Sequence, residues 1–203
     1  MKLYYLPGAC SLASHIALRE AGVDFELEQF DKASKKTQSG ADFLAINPKG
    51  YVPVLALDDG DVLTEGAAIL QYIADENPKA ELAPAAGSRD RVHLQAHLNY
   101  IATEVHKAFS SLFNPHSRDS EKADAKTRVA EKLDMVEKIL SDGRNYLVGD
   151  KFSVADVYLF VVVNWTFPTN ISLDPWPHVA AFHQRVGARD SVQAALKAEG
   201  LAA

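Results

Sequence analysis

The strongest constraint on this fold is a change of period along the chain. Up to about residue 76, short apolar strand patterns alternate with helical ones, whereas beyond residue 87 every regular segment repeats with helical spacing. Between them lies a stretch holding Pro78, Pro84 and Gly87 among alanines, the composition of an interdomain linker. The reading is therefore a first domain over 1–76, a linker over 77–87 and a second domain over 88–203, in a chain long enough at 203 residues for two cores.

Within the first part, residues 3–6 read as a strand broken by Pro7-Gly8, and the spacing of Leu12, His15, Ile16 and Arg19 predicts a helix from Ser11 to Gly22. A half-buried strand follows over 25–30, then a short helix over 42–46 and the turn Asn47-Pro48-Lys49-Gly50. Residues 52–57 and 61–63 flank Asp58-Asp59-Gly60 as a hairpin, and a helix runs over 65–76. This is β-α-β-α-β-β-α, an α+β domain. The second part predicts helices over 89–112, 123–141, 153–167, 177–186 and 192–198, an all-α domain without internal repeats.

Composition narrows the function. With 21 basic against 27 acidic residues, the net charge of -6 offers no cationic face for phosphate backbones, so no nucleic-acid partner is expected. Lys32, Lys35 and Lys36 form a local basic cluster, read either as a solvated loop or as a seat for a small anion. No apolar window approaches a membrane span, and the N-terminus lacks a leader pattern, so a soluble, unprocessed, cytoplasmic protein is expected. The single cysteine excludes an internal disulfide and a Cys-rich zinc module.

That cysteine, Cys10, falls at the start of the first helix, where unpaired N–H groups and the helix dipole favour a thiolate. With no resolving partner in the chain, its disulfide chemistry would need a small cellular thiol; the alternative is a buried, inert cysteine. Ser11 beside it reads as a helix cap or as a hydroxyl aimed at a bound sulfur. Val52-Pro53 marks a sheet edge or a cis bond, trans being the default, and a cis bond would present the Val52 backbone to an extended peptide such as a tripeptide. Glu65 in the first turn of its helix complements the dipole. Its carboxylate and the Gly66 N–H also offer side by side an acceptor for an ammonium and a donor for a carboxylate, the pair on an amino-acid α-carbon.

After the linker, Leu94, Leu98, Ile101, Ala102 and Val105 form a core stripe bordered by two polar ridges, Asn99, Thr103 and His106, and Tyr100, Glu104 and Lys107. His93 and His97 stand at i, i+4 without a third ligand and are taken as surface histidines, so no metal is expected. Ser153 to Asp156 has capping-box form ahead of a helix that is apolar nearly all round, and Asp156 is read as structural.

Four segments carry a family resemblance: Tyr4-Tyr5-Leu6-Pro7-Gly8-Ala9-Cys10-Ser11-Leu12, Asn47-Pro48-Lys49-Gly50-Tyr51-Val52-Pro53-Val54-Leu55, Leu63-Thr64-Glu65-Gly66-Ala67-Ala68-Ile69 and Val148-Gly149-Asp150-Lys151-Phe152-Ser153-Val154-Ala155-Asp156. Together they resemble cytosolic glutathione S-transferases, and the cysteine at the first helix resembles the bacterial beta class. The resemblance implies a thioredoxin-like N-terminal domain, an all-helical C-terminal domain and a homodimer that binds glutathione as co-substrate near the subunit interface. By matching positions it implies Cys10 and His106 as catalytic, Cys10 in contact with the glutathione sulfur or in a mixed disulfide with it, and Val52, before a cis Pro53, on the cysteinyl backbone. Glu65 and Gly66 would hold the γ-glutamyl end, and Lys35 the glycyl carboxylate. Ser11, Asn99, Thr103, Glu104, His106 and Lys107 would border the site, some from the partner subunit. Tyr5, Phe109, Phe113 and Trp165 are expected around a pocket for the electrophile. One departure is Arg189-Asp190, where the family usually has Arg-Pro, which bears on the start of the last helix.

The activity expected is conjugation of the glutathione thiol to small hydrophobic electrophiles in detoxification, with halide displacement or peroxide reduction as side activities. The alternatives are glutaredoxin-like thiol-disulfide exchange through Cys10 and non-catalytic binding of apolar ligands.

Overall fold

A computed structural model of the chain, described over residues 1–201, resolves into two compact units. The first takes Met1–Ala83 together with the chain from Arg189 onward, and the second is Pro84–Ala188.

In the first unit the order is β1 (Lys2–Tyr5), α1 (Ser11–Glu20), β2 (Glu26–Asp31), β3 (Lys36–Thr37), α2 (Phe43–Ile46), β4 (Val54–Ala56), β5 (Val62–Thr64) and α3 (Gly66–Glu76). The strands form one sheet in the order β3-β2-β1-β4-β5. Only β1 and β2 run parallel, since α1 carries the chain back between them, and Leu3 stands opposite both Leu27 and Leu55. The remaining neighbours are antiparallel. Leu3, Leu12, Ile16, Leu55, Ile69, Leu70 and Ile73 are fully buried where α1 and α3 pack on each other and on the sheet. A separate cluster of Phe30, Phe43 and Val54 takes in Tyr4, Ile46 and Val52.

The expected strand-and-helix order holds apart from β3, a two-residue strand inside the polar stretch where period-2 alternation has no room to show. Two local signals fixed the ends of helices as read: Gly22 takes φ +67 after α1, and the Asp42 side chain accepts from the Leu44 N–H at the start of α2.

The second unit is helical: α4 (Arg89–Tyr100), a π-helical turn (Ile101–Val105), α5 (His106–Ala108), α6 (Ser110–Phe113), α7 (Asp119–Leu140), α8 (Val154–Asn164) and α9 (Pro177–Gly187). The continuous helix expected over 89–112 is thus interrupted. The wider turn adds a residue to one loop of helix and breaks the register of the polar ridges beyond it. Every residue of α8 from Val154 to Val163 is buried, as its all-round apolar pattern requires.

Helical spacing groups the last helix, α10 (Asp190–Ala198), with the second domain, but it packs on α1. Glu20 at the end of α1 accepts from Arg189 Nε at 2.6 Å and Nη2 at 2.9 Å, and from the Ser191 hydroxyl. At the family's usual Arg-Pro position, α10 begins cleanly with Arg189 as N-cap and Asp190 in the first turn, where an acid suits the dipole.

Candidate active site

The loop from β1 into α1 is held from several sides. Ser11 Oγ accepts from the Leu6 N–H at 3.1 Å and donates to the Leu6 carbonyl at 3.3 Å, closing the loop on itself. The hydroxyl is fully buried and engaged with the Leu6 backbone rather than capping the helix. Gly8 takes φ +70, a region that favours glycine, and its N–H donates to Glu199 Oε2 at 2.9 Å. The other Glu199 oxygen lies 2.8 Å from His15 Nδ1, with both side chains fully buried, and His15 Nε2 accepts from Arg19 Nε at 2.9 Å. A β-carbon on Gly8 would lie 3.6 Å from the Leu201 side chain. The chain's last described turn therefore backs the cysteine loop.

Cys10 is the N-cap of α1, as its position implied, and its thiol is half-buried. Sγ donates to the Val52 carbonyl at 3.4 Å. A carbonyl only accepts, so this bond belongs to the protonated thiol. The Val52-Pro53 peptide is cis, as the resemblance implied and against the default for X-Pro.

Beside it, a β-carbon on Gly66 would stand 3.6 Å from the Pro53 ring, so the start of α3 abuts the cis peptide. The first N–H groups of a helix have no intrahelical acceptor and remain available. Glu65 precedes them with φ 70 and ψ 110, a conformation costing a non-glycine residue about 1–3 kcal/mol and typical of sites where geometry is imposed. Its exposed carboxylate takes Lys49 Nζ at 2.7 Å, and the same ammonium reaches Thr64 Oγ1 at 3.3 Å. In the sequence Lys49 reads only as a turn residue. Its place four residues before Pro53 was the available signal, because a turn there must pass the hairpin that carries Glu65. Lys35 lies on the turn before β3 with φ 59, and its ammonium is 5.8 Å from the Phe30 ring centroid. Tyr5 is buried, with its ring centroid 6.4 Å from that of His15. Burial, and then the charge of Glu199, push its phenol above the usual range.

In the helical unit, Thr103 Oγ1 donates to the Asn99 carbonyl at 2.9 Å, both residues being exposed. Exposed Glu104 pairs with Lys132 at 2.8 Å, and Lys107 is exposed. His106 follows the π turn, which its own N–H closes on the Ile101 carbonyl, and it is half-buried. Its Nδ1 shares a hydrogen bond with the Tyr158 hydroxyl at 2.9 Å. Burial first, and then the neighbouring Lys107, lower its pKa to about 4, so the imidazole is neutral at pH 7.

Trp165 lies 4.7 Å from the His106 ring, 5.7 Å from Phe109 and 5.5 Å from Phe113, each edge to face. Three of the four aromatics expected at the electrophile pocket thus share one cluster with His106. Phe109 is fully buried within it, while Phe113 is 49% exposed. His93 and His97 line a surface cleft of about 310 Å³ with Asp90 and Arg144. Among the described residues no three His, Cys, Asp or Glu side chains are placed to hold a metal ion. Asp156 is structural: it accepts from the Ser153 N–H and hydroxyl at 2.8 and 2.7 Å and from the Leu147 N–H at 2.7 Å.

This geometry can be set beside known proteins. Residues 8–76 match the family model of the glutathione S-transferase N-terminal domain, and residues 100–190 that of the C-terminal domain. Glutathione S-transferase GstA of Escherichia coli O157:H7 is 47% identical over 99% of this chain and 100% of its own. The solved structure of a sphingomonad glutathione S-transferase complexed with glutathione superposes with a TM-score of 0.96 at 50% identity, covering all of both chains. A bacterial beta class glutathione S-transferase from Sphingomonas chungbukensis does so with a TM-score of 0.96 at 48% identity, again over both whole chains. With both domain models matched and relatives of this identity spanning its length, the chain belongs to the glutathione S-transferase family, in its bacterial beta class.

Proposed function

We propose that the first unit holds glutathione and that the enzyme transfers its thiol to small hydrophobic electrophiles. The observation that carries this reading is the juxtaposition of Cys10, the cis Val52-Pro53 peptide and the Glu65-Gly66 helix start. The cysteinyl backbone pairs with Val52, whose carbonyl already accepts the Cys10 thiol, so the tripeptide sulfur docks beside Sγ. Glu65 receives the γ-glutamyl ammonium and the Gly66 N–H its carboxylate, with Lys49 balancing the Glu65 charge. Lys35 meets the glycyl carboxylate, and Asn99, Thr103, Glu104 and Lys107 contribute charge and hydrogen bonds at the border of the site.

His106, neutral at pH 7, supplies a ring nitrogen to the sulfur. It acts as a neutral hydrogen-bond partner to the sulfur rather than a fixed cation, since a ring with a pKa of about 4 is a weak base. Phe113 and the aromatic cluster behind it present an apolar surface to the acceptor, and holding thiolate and electrophile together supplies the proximity term. The working form is a cytoplasmic homodimer acting in detoxification.

A panel of activated aryl halides, epoxides and peroxides, assayed with glutathione, tests the reading. Turnover with at least one class is expected; glutathione affinity without any turnover would leave a ligand-binding protein instead. Cys10→Ala separates conjugation from glutaredoxin-type exchange. Conjugation is expected to survive it in part, while any reduction of mixed disulfides is lost, because only Cys10 can carry glutathione covalently.

A further inference from the structure

α8 is the most thoroughly apolar helix of the molecule, yet it places one phenol in its buried run. Tyr158 is 5% exposed, and a phenylalanine would fill the same volume without a hydroxyl to satisfy. That hydroxyl shares a hydrogen bond with His106 Nδ1 at 2.9 Å. The two rings meet at 89°, so the phenol approaches from one side while Trp165, at 4.7 Å and 81°, abuts the imidazole as well. The π turn fixes the backbone at the same residue, since the His106 N–H closes its five-residue loop.

An imidazole has two nitrogens with opposite roles in its neutral form, and a hydrogen bond at one decides what the other can do. A ring held only by packing could flip and exchange them. We propose that Tyr158 is the positioning residue of His106: its hydroxyl donates to Nδ1 and so keeps the ring proton on Nε2, the one nitrogen presented to the glutathione sulfur. The proposal rests on the reading of His106 at that sulfur. Tyr158 acts through the histidine and touches no substrate. It adds a second requirement to the site, because a correctly placed His106 of mixed tautomer would meet the sulfur with the right nitrogen in the wrong state for part of the time.

The test uses the full chain with Tyr158→Phe, which keeps the ring and removes only the oxygen. Nitrogen-15 spectra of the histidine rings are expected to show one neutral His106 tautomer in the wild type and a mixture in the variant. Conjugation kcat should fall roughly tenfold, the low end of what removing the outer partner of a metal-bound histidine costs, while KM for glutathione moves less than about twofold. In a His106→Ala background, Tyr158→Phe should cost nothing further. A single unchanged tautomer in Tyr158→Phe overturns the proposal, as does an undiminished loss of kcat in the His106→Ala background. Unchanged kcat in His106→Ala alone would instead sink the reading of His106 at the sulfur, and the tautomer measurement would still decide what Tyr158 does.

Discussion

Ser14 is fully buried on α1, and its hydroxyl finds no hydrogen-bond partner among the described residues. A buried hydroxyl left unsatisfied costs about 1–3 kcal/mol, and alanine is also the better helix former, so Ser14→Ala should raise unfolding stability by about 1 kcal/mol in a denaturant titration. A loss of stability would mean that the hydroxyl has a partner after all. Ser11, three residues earlier, is the opposite case. Its hydroxyl both accepts from and donates to Leu6, which is why a serine that looked like a cap in the sequence turns out to shape a loop. Cys10 was legible because a helix start is a local signal. Its partner, the Val52 carbonyl, was not, since the contact spans 42 residues and depends on strand order. Lys49 escaped for the same reason, as its ion pair with Glu65 exists only once the hairpin has brought the two together.

Among the elements, α8 shows how a cap is built into a core. Asp156 is fully buried and accepts three hydrogen bonds, yet burial prevails over them and pushes its pKa up to about 6. A carboxyl whose folded pKa lies above its ordinary value of 3.8 favours the fold in its protonated form. Its contribution is complete below pH 4 and lost as the pH rises through about 6. Asp156→Asn, which cannot titrate, should therefore lack the part of the wild-type stability decline that falls between pH 4 and 6, as followed by thermal melts across that window. An identical pH dependence in both proteins would contradict it. The capping box could be read directly from Ser153 and Asp156, and it is present. By contrast, the π turn at Ile101–Val105 keeps the apolar stripe of Ile101 and Val105 intact, both being buried, and so leaves no mark in the hydrophobic pattern. Its consequence is local but large: the ridge of Asn99, Thr103 and His106 is broken, and the histidine turns toward Tyr158 and Trp165.

At the scale of the whole molecule, the change of period at the linker separated the thioredoxin-like part from the helical part, but it hid the return of the chain. Helical periodicity says nothing about which unit a helix joins. α10 joins the first through Arg189 and Ser191 on Glu20 and through Glu199 on Gly8 and His15. Truncation before Arg189 should consequently unfold the first unit, strip the Gly8 N–H of its acceptor and abolish glutathione binding. Retention of binding by the truncated chain, measured by calorimetry, would show that the last helix is dispensable to the site.

The proposed seating of glutathione through Glu65, and transfer of its thiol, are both read from the glutathione saturation curve for conjugation to an activated dinitrophenyl halide, in wild type and Glu65→Ala. Saturable turnover is predicted in the wild type. In the variant, KM for glutathione should rise by about tenfold, the equivalent of one charge-assisted hydrogen bond of about 1.5 kcal/mol, with kcat changed far less. A wild-type rate no greater than the uncatalysed reaction, or a KM indifferent to the loss of Glu65, would contradict that reading.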